Sequence, residues 1–214
     1  MRRTYIFIIL FAAFLAGCRH WGIRGSGDLA EETREIEQFS KIEVAGAFSV
    51  DVTVGESTSL KIETDDNLLK YVRTRIHGDK LIIDTKKDIS PKSKLKVTIS
   101  TQELTSIDAS GANSLNVKGI STEKFYVDLS GACSADLEGC VDNLTIDISG
   151  AGSCDARELI AVNVKVDLSG ASNADVYASE SLDADISGVG NLDFYGDPKN
   201  VKSDVSGIGS IDRK

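Results

Sequence analysis

Phe125-Tyr126-Val127-Asp128-Leu129-Ser130-Gly131-Ala132-Cys133-Ser134-Ala135-Asp136-Leu137 decides the fold, because the chain keeps returning to it. Phe125, Val127 and Leu129 occupy every second position, the spacing of a strand with one buried face. Ser130-Gly131 interrupts the alternation, and Ala135 and Leu137 resume it. The Asp-x-Ser-Gly core recurs with its glycine at Gly111, Gly131, Gly150, Gly170, Gly188 and Gly207, at intervals of 20, 19, 20, 18 and 19 residues. Each copy has an acid three residues earlier: Asp108, Asp128, Asp147, Asp167, Asp185 and Asp204. Each has a serine directly before the glycine: Ser110, Ser130, Ser149, Ser169, Ser187 and Ser206. Five residues after the glycine stand Asn116, Asp136, Asp155, Asp175, Asp193 and Asp212. Period-two apolar sets recur with them: Leu144, Ile146, Ile148; Val164, Val166, Leu168; and Leu182, Ala184, Ile186.

A unit of strand, tight Ser-Gly corner, short strand and return has one apolar face and cannot bury it alone. Stacking units about 4.8 Å apart makes a continuous core inside a coil. The expected fold is therefore all-β, a parallel β-solenoid with coils of about 19–20 residues, right-handed like most parallel crossovers, that is, a β-helix. An antiparallel sandwich is the alternative, but it gives no reason for a Ser-Gly at every turn. Aromatic residues make up only 6% of the chain, so the core must come from Val, Ile, Leu and Ala. Nineteen Gly with two Pro exclude a collagen-like chain.

Upstream, Glu43-Val44-Ala45-Gly46-Ala47-Phe48-Ser49-Val50-Asp51-Val52 is a degenerate copy. The 65 residues from Gly46 to Gly111 leave room for about three further coils. Leu60-x-Ile62, Leu81-Ile82-Ile83 and Leu95-x-Val97-x-Ile99 read as strands, and His77-Gly78-Asp79-Lys80 as a turn. Asp66–Val72 fits either a helical turn or a strand. Residues 41–106 carry 11 basic and 10 acidic side chains, residues 107–214 only 8 against 18. One domain is expected over 41–214, with irregular coils over 41–106 and six repeats over 107–214.

Before it, Arg2-Arg3 and the apolar run Tyr5–Leu15 form a signal peptide over residues 1–17, too short to span a bilayer. Leu15-Ala16-Gly17-Cys18 is similar to the lipobox of bacterial lipoproteins, which implies cleavage before Cys18 and its lipidation. Arg19 in place of Asp after that cysteine is compatible with outer-membrane sorting in the cell envelope. Residues 18–40, Gly-rich and then charged, read as the lipidated Cys and a flexible tether. Gly22-x-x-Gly25-x-Gly27 is no phosphate loop, since no strand precedes it and no helix start follows.

The chain is acidic: without residues 1–17 it carries 22 Lys and Arg against 33 Asp and Glu, which excludes nucleic acid as a partner. Stacked coils would set Asp128, Asp147, Asp167 and Asp185 about 5 Å apart on the outer face. Each Asp is expected to accept a hydrogen bond at the Ser-Gly corner. A column of Ca²⁺ ligands is the weaker reading, because the Gly-Gly-x-Gly-x-Asp pattern of calcium-binding β-rolls is missing. No metal or other cofactor is expected. The polar column Ser114, Ser134, Ser153, Asn173, Asn191 and Ser210 reads as stacked hydrogen-bonding side chains, since His77 is the sole base for a nucleophile in the folded region. Cys154 falls on the inward phase, offset from Cys133 beyond disulfide reach, and Cys140 lies on a return segment. No catalytic residue is assigned.

With repeats this regular, the chain resembles the auto-transporter adhesin family with the head GIN domain, a domain of unknown function. The resemblance runs from about Phe39 to Lys214. It rests on Asp-x-Ser-Gly-Ala, on Val44-x-Gly46-x-Phe48, on Tyr195-Gly196-Asp197-Pro198 and on Asp204-Val205-Ser206-Gly207-Ile208-Gly209. It implies a β-helical envelope lipoprotein with an adhesive role and no assigned catalytic residues. The membrane β-barrel of an autotransporter is not seen, so that secretion route is not carried over. The expected function is a non-catalytic, lipid-anchored adhesin or surface scaffold whose acidic face takes a glycan or protein ligand. The alternative is a carbohydrate-active β-helix enzyme, a glycan lyase or hydrolase. The last coil, guarded only by Asp212, Arg213 and Lys214, is expected to pack on a second copy.

Overall fold

Alternation turns two or three apolar side chains per strand inward, and the coils on either side supply the backbone hydrogen bonds. The computed structural model describes residues 22–214, so the signal peptide and Cys18 lie outside the described residues. The first half contains β1 (Ile23–Arg24), β2 (Leu29–Arg34), β3 (Lys41–Gly46), β4 (Ser49–Val54) and β5 (Ser59–Asp65). A single 3-10 turn (Leu69–Tyr71) leads into β6 (Val72–His77), β7 (Lys80–Thr85), β8 (Ile89–Ser90) and β9 (Lys96–Thr101). The repeats form β10 (Ser106–Gly111), β11 (Ser114–Gly131), β12 (Ser134–Gly150), β13 (Ser153–Ile186), β14 (Val189–Tyr195), β15 (Asn200–Val205) and β16 (Ile208–Arg213).

The repeats stack in parallel and in the register of the sequence motif. Asp108, Ser110 and Gly111 face Asp128, Ser130 and Gly131, which in turn face Asp147, Ser149 and Gly150. These face Asp167, Ser169 and Gly170. The chain is thus a parallel β-solenoid. Val127, Leu129, Ile146, Ile148, Val166, Leu168, Ala184 and Ile186 are all buried in one continuous core. Full burial of each of the larger ones is worth about 1.5–3 kcal/mol. In the last coil Val201 and Val205, aligned with Leu182 and Ile186, remain 49% and 41% exposed because no further coil lies on them among the described residues.

The first half departs from the expected three extra coils. β3 lies directly against β10, Gly46 opposite Gly111, and β4 lies against the start of β11, Ser49 opposite Ser114. The residues between double back instead. β7 pairs in parallel with β3, and β9 with β4, so residues 80–101 form one coil on the far side of residues 41–54. Antiparallel strands then close the stack: β6 on β7, β5 on β9, and β2 on β5. The His77-Gly78-Asp79-Lys80 turn makes the β6–β7 hairpin, with Gly78 at φ 64°. Asp66–Val72 contains both the turn and the strand start that its sequence left open.

The flexible tether expected through residue 40 is also corrected, since β1 pairs with β8 and β2 with β5. Asp65, fully buried, holds this segment down. Its carboxylate accepts hydrogen bonds from the N–H of Gly27 (2.7 Å), Lys92 (3.0 Å) and Ser93 (3.2 Å), and from Ser93 Oγ (3.2 Å). Burial pushes its pKa up, and these donors together outweigh burial and leave it lowered. The composition of residues 22–40 concealed this because the anchoring carboxylate lies far along the chain.

At each corner the chain must pass within hydrogen-bond distance of its neighbour. Gly131 adopts φ 92°, and a Cβ there would collide with the carbonyl oxygen of Gly111. Gly55 has a similar φ of 96° but open space around it. Left-handed strain costs about 1–2 kcal/mol for an L-residue. Gly55→Ala should therefore lower Tm by about 2–8 °C, and Gly131→Ala, which adds the backbone collision, by at least twice as much. Thermal unfolding followed by circular dichroism checks this; equal losses would show that the corner contact contributes nothing.

Candidate binding face

Period-two alternation that buries Val127 and Leu129 must turn Asp128 and Ser130 outward, and stacking repeats this in every coil. The register places Glu43, Asp108, Asp128, Asp147 and Asp167 in one row, continued by Asp185 and Asp204. Adjacent members are about 4.8 Å apart along the stack. Between them runs an open groove of about 200 Å³, lined by Asp128, Asp147, Asp167 and Asp185, by Ser149, Ser169 and Ser187, and by Ile148 and Leu168. The Asp and Ser positions singled out in the sequence therefore meet on one surface.

Few cations reach this row. Lys80 Nζ lies 2.8 Å from Glu43 at its N-terminal end, and Lys165 Nζ 2.8 Å from Asp167. Burial, and then the charge of Asp167, push the pKa of Asp147 up despite Lys165. Burial also raises Asp108, helped by Asp128 and Glu43 and opposed by Lys80. The second row, five residues after each glycine, is partnered more fully. Lys96 pairs with Asp51 at 2.8 Å, Lys214 with Asp193 at 3.3 Å, and Arg157 with Asp155. The Arg157 contact holds the Asp155 carboxyl below its ordinary range. Among the described residues, Asp136, Asp175 and Asp212 in that row have no such ion pair, and burial chiefly holds the Asp175 pKa up.

The corner hydrogen bonds expected for the first row belong to the backbone instead. Ala132 N–H donates to Gly111 O and Ala151 N–H to Gly131 O, each at 2.7 Å. The serines donate to the preceding coil, Ser169 Oγ to Ile148 O at 3.3 Å and Ser187 Oγ to Leu168 O at 3.5 Å. The coil below offers a carbonyl at the right height, so the corner has no need of a carboxylate. The corner does not use the Asp carboxylates, and Asp167 accepts from Lys165 Nζ instead. As for the Ca²⁺ reading of Asp128, Asp147, Asp167 and Asp185, no group of three or more His, Cys, Asp or Glu side chains among the described residues is disposed to hold a metal ion.

The polar column behaves as a ladder in the last coils. Asn173 Oδ1 accepts from Asn191 N–H at 3.1 Å, and Ser210 Oγ donates to Asn191 Oδ1 at 3.2 Å. His77 sits exposed at the end of β6, separated from the repeats by β7 and β3. The described cysteines are free thiols. Cys133 and Cys154 are buried, and burial pushes the Cys154 thiol up out of the reactive range, while Cys140 is exposed. Sequence reasoning missed Asn113, buried two residues after Gly111. It accepts from Phe48 N–H at 3.0 Å and donates to Ser110 O at 2.7 Å, tying the degenerate coil to the first full repeat. The signal was present in its column, where Phe48, Cys133, Gly152 and Ser172 are all uncharged.

Comparison with known proteins agrees with this architecture. Among solved structures, the chain is similar to a putative adhesin from Bacteroides fragilis NCTC 9343, with TM-score 0.74 and 22% identity over 90% of this chain and 100% of that one. It is also similar to a putative lipid binding protein from Parabacteroides distasonis ATCC 8503, with TM-score 0.56 and 20% identity over 90% and 99%. A putative adhesin from Parabacteroides merdae ATCC 43184 matches with TM-score 0.54 and 21% identity over 90% and 99%. At these identities the likeness shows the shared fold. No curated protein matches the chain. The family profile described as "putative auto-transporter adhesin, head GIN domain" matches residues 38–198, from just before β3 to just before β15. The match spans the coils from β3 through β14, and the chain belongs to the head GIN domain family.

Proposed function

We propose that this chain is a lipid-anchored, non-catalytic adhesin of the bacterial outer membrane that binds its ligand along the Asp-Ser row. The carrying observation is the under-neutralised row itself: carboxylates and hydroxyls repeat at coil spacing along an open groove, while the second row has cations of its own. Such a ladder offers acceptors at regular intervals and suits an extended ligand rich in hydroxyl groups, a glycan first, over a compact molecule enclosed in a pocket. Family membership supports the adhesive role. Leu15-Ala16-Gly17-Cys18 supports the anchor.

A glycan array tests the face. The wild-type protein should be retained, and Asp147→Asn with Asp167→Asn should weaken retention at least about tenfold, the loss of two charged hydrogen bonds. Release of cleaved sugar would instead make the protein a carbohydrate-active enzyme, and equal retention of both forms would remove the face assignment. In cell fractionation, Cys18→Ser should leave the membrane pellet; a processed, unlipidated form that stays there would refute the anchor.

Stability against pH supplies a further check. Because the folded-state pKa of Asp147 is raised, its ionised form weakens the fold, and that loss sets in as pH rises through the folded value. Asp147→Asn should raise Tm at pH 7 by a few degrees, the relief first of a partly desolvated charge and then of its like-charge contact with Asp167. The gain should vanish below the ordinary carboxylate range, where the wild-type group is also neutral. A gain that persists at low pH would assign the effect to packing.

A further inference from the structure

All but six of the Lys and Arg side chains among residues 22–214 have a carboxylate oxygen within 4.0 Å. The six are Arg24, Lys70, Lys86, Lys87, Lys92 and Lys94, and all are exposed. They are confined to the antiparallel cap and the first coil. We infer that this end of the solenoid is a membrane-facing surface whose unpaired cations bind anionic phospholipid headgroups.

Contacts within the cap gather five of the six, and Lys94 follows two residues after Lys92. Lys70 and Lys87 hold their ammonium groups 5.3 and 5.9 Å from the centre of the Tyr71 ring. Lys86 N–H donates to Tyr71 O at 2.8 Å, and its Nζ donates to Lys70 O at 3.1 Å. Lys92 Nζ donates to Ser26 O at 2.7 Å, and β1 pairs Arg24 with Ser90. The acids close by along the chain are Asp28, Asp65, Asp66 and Asp88, of which Asp65 accepts from Lys92 N–H and Asp66 from Ser26 Oγ. They offset four of the six positive charges and leave the rim net positive. Residues 1–21 contain no acid that would neutralise the rest.

The inference rests on the proposed anchor at Cys18. Gly22 packs on the backbone of Ile89, and Ile23 N–H donates to Asp88 O at 2.8 Å. Four residue steps separate Cys18 from Gly22, a span of at most about 14 Å even when fully extended. An acylated Cys18 therefore holds Lys86, Lys87, Lys92 and Lys94, which flank Ile89, close to the headgroups. At that range each cation near an anionic surface contributes about fivefold in affinity, and an acyl anchor with a basic patch binds far better than either alone. Residues 107–214, with 8 basic against 18 acidic side chains, are repelled by the same surface, so the rod would stand with its acidic row away from the membrane.

The test uses the full lipidated protein in vesicles of phosphatidylcholine, with or without phosphatidylglycerol. Each lysine is scored by mass spectrometry after labelling with a membrane-impermeant amine reagent. Phosphatidylglycerol should cut labelling of Lys86, Lys87, Lys92 and Lys94 about fivefold, leave Lys199 and Lys202 unchanged, and lose its effect in high salt. The Lys87→Glu, Lys92→Glu variant should still float with neutral vesicles, and on vesicles with phosphatidylglycerol its Lys94 should regain its labelling. Equal labelling on both vesicle types, with flotation intact, would overturn the headgroup contact and leave the anchor standing. Failure to float with neutral vesicles would refute the anchor, and flotation with anionic vesicles would then judge the headgroup contact alone, its absence overturning that too. Protection by a soluble acidic polysaccharide but not by anionic vesicles would overturn it in favour of a glycan partner.

Discussion

The fold hangs on one hydrogen bond repeated at every corner, from the N–H after a glycine to the carbonyl of the glycine one coil earlier. Ala132 makes it to Gly111 and Ala151 to Gly131 at 2.7 Å, and Ala112 reaches back to Gly46 at the same distance. A β-carbon at the glycine would occupy the place of that carbonyl, so the position is closed to other residues by contact as well as by backbone angle. Gly188 shows the two reasons apart. Its φ is ordinary, yet a Cβ there still meets the carbonyl of Gly170. Once the corner fixes the height of each coil, everything before it falls into register, the apolar residues inside and the Asp and Ser outside.

That register imposes a cost the sequence manages unevenly. A motif that repeats its aspartate must place like charges side by side, and such contacts destabilise. The second row answers with local cations: Arg157 beside Asp155, Lys96 beside Asp51, Lys214 beside Asp193. The first row has only Lys80 at one end and Lys165 within it, and burial first, then the neighbouring carboxylates, raise the pKa values of Asp147 and Asp108. Serine would serve the coil as well at these positions, because the corner amides already have carbonyl partners. Charge repeated where the fold does not use it is what the proposed ligand face rests on.

The repeats were legible because their evidence is local: a period of two, a glycine every 18 to 20 residues, and acids at fixed offsets. Their inward positions, including Cys154, follow from phase alone. The order of the first half was hidden, since Gly46 and Gly111 are neighbours across 65 residues and no local pattern says so. The cap strand Leu29–Arg34 was hidden for a related reason. Its charged, alternating sequence looks solvated, and its partner is the distant β5. The aspartates were misassigned because a turn propensity measured on isolated turns ignores the carbonyl that a stacked neighbour provides. Asn113 was overlooked because a buried amide in one coil breaks no periodicity.

Placing the irregular segment between β4 and β10 exploits a weak dependence of entropy on length. Closing a 65-residue loop rather than a 20-residue one costs only about 1 kcal/mol more, by the logarithmic scaling of loop closure. In return, the inserted residues lay a coil over the far side of β3 and β4 and finish it with antiparallel strands. Parallel coils cannot end themselves, because each leaves a row of unpaired backbone groups and an apolar layer for the next. An antiparallel strand reverses direction and covers both in a short length of chain. The detour is therefore what makes the stack finite at its first coil. By pairing β2 with β5 and pinning Gly27 to Asp65, it also draws the chain that follows Cys18 onto the same end of the rod.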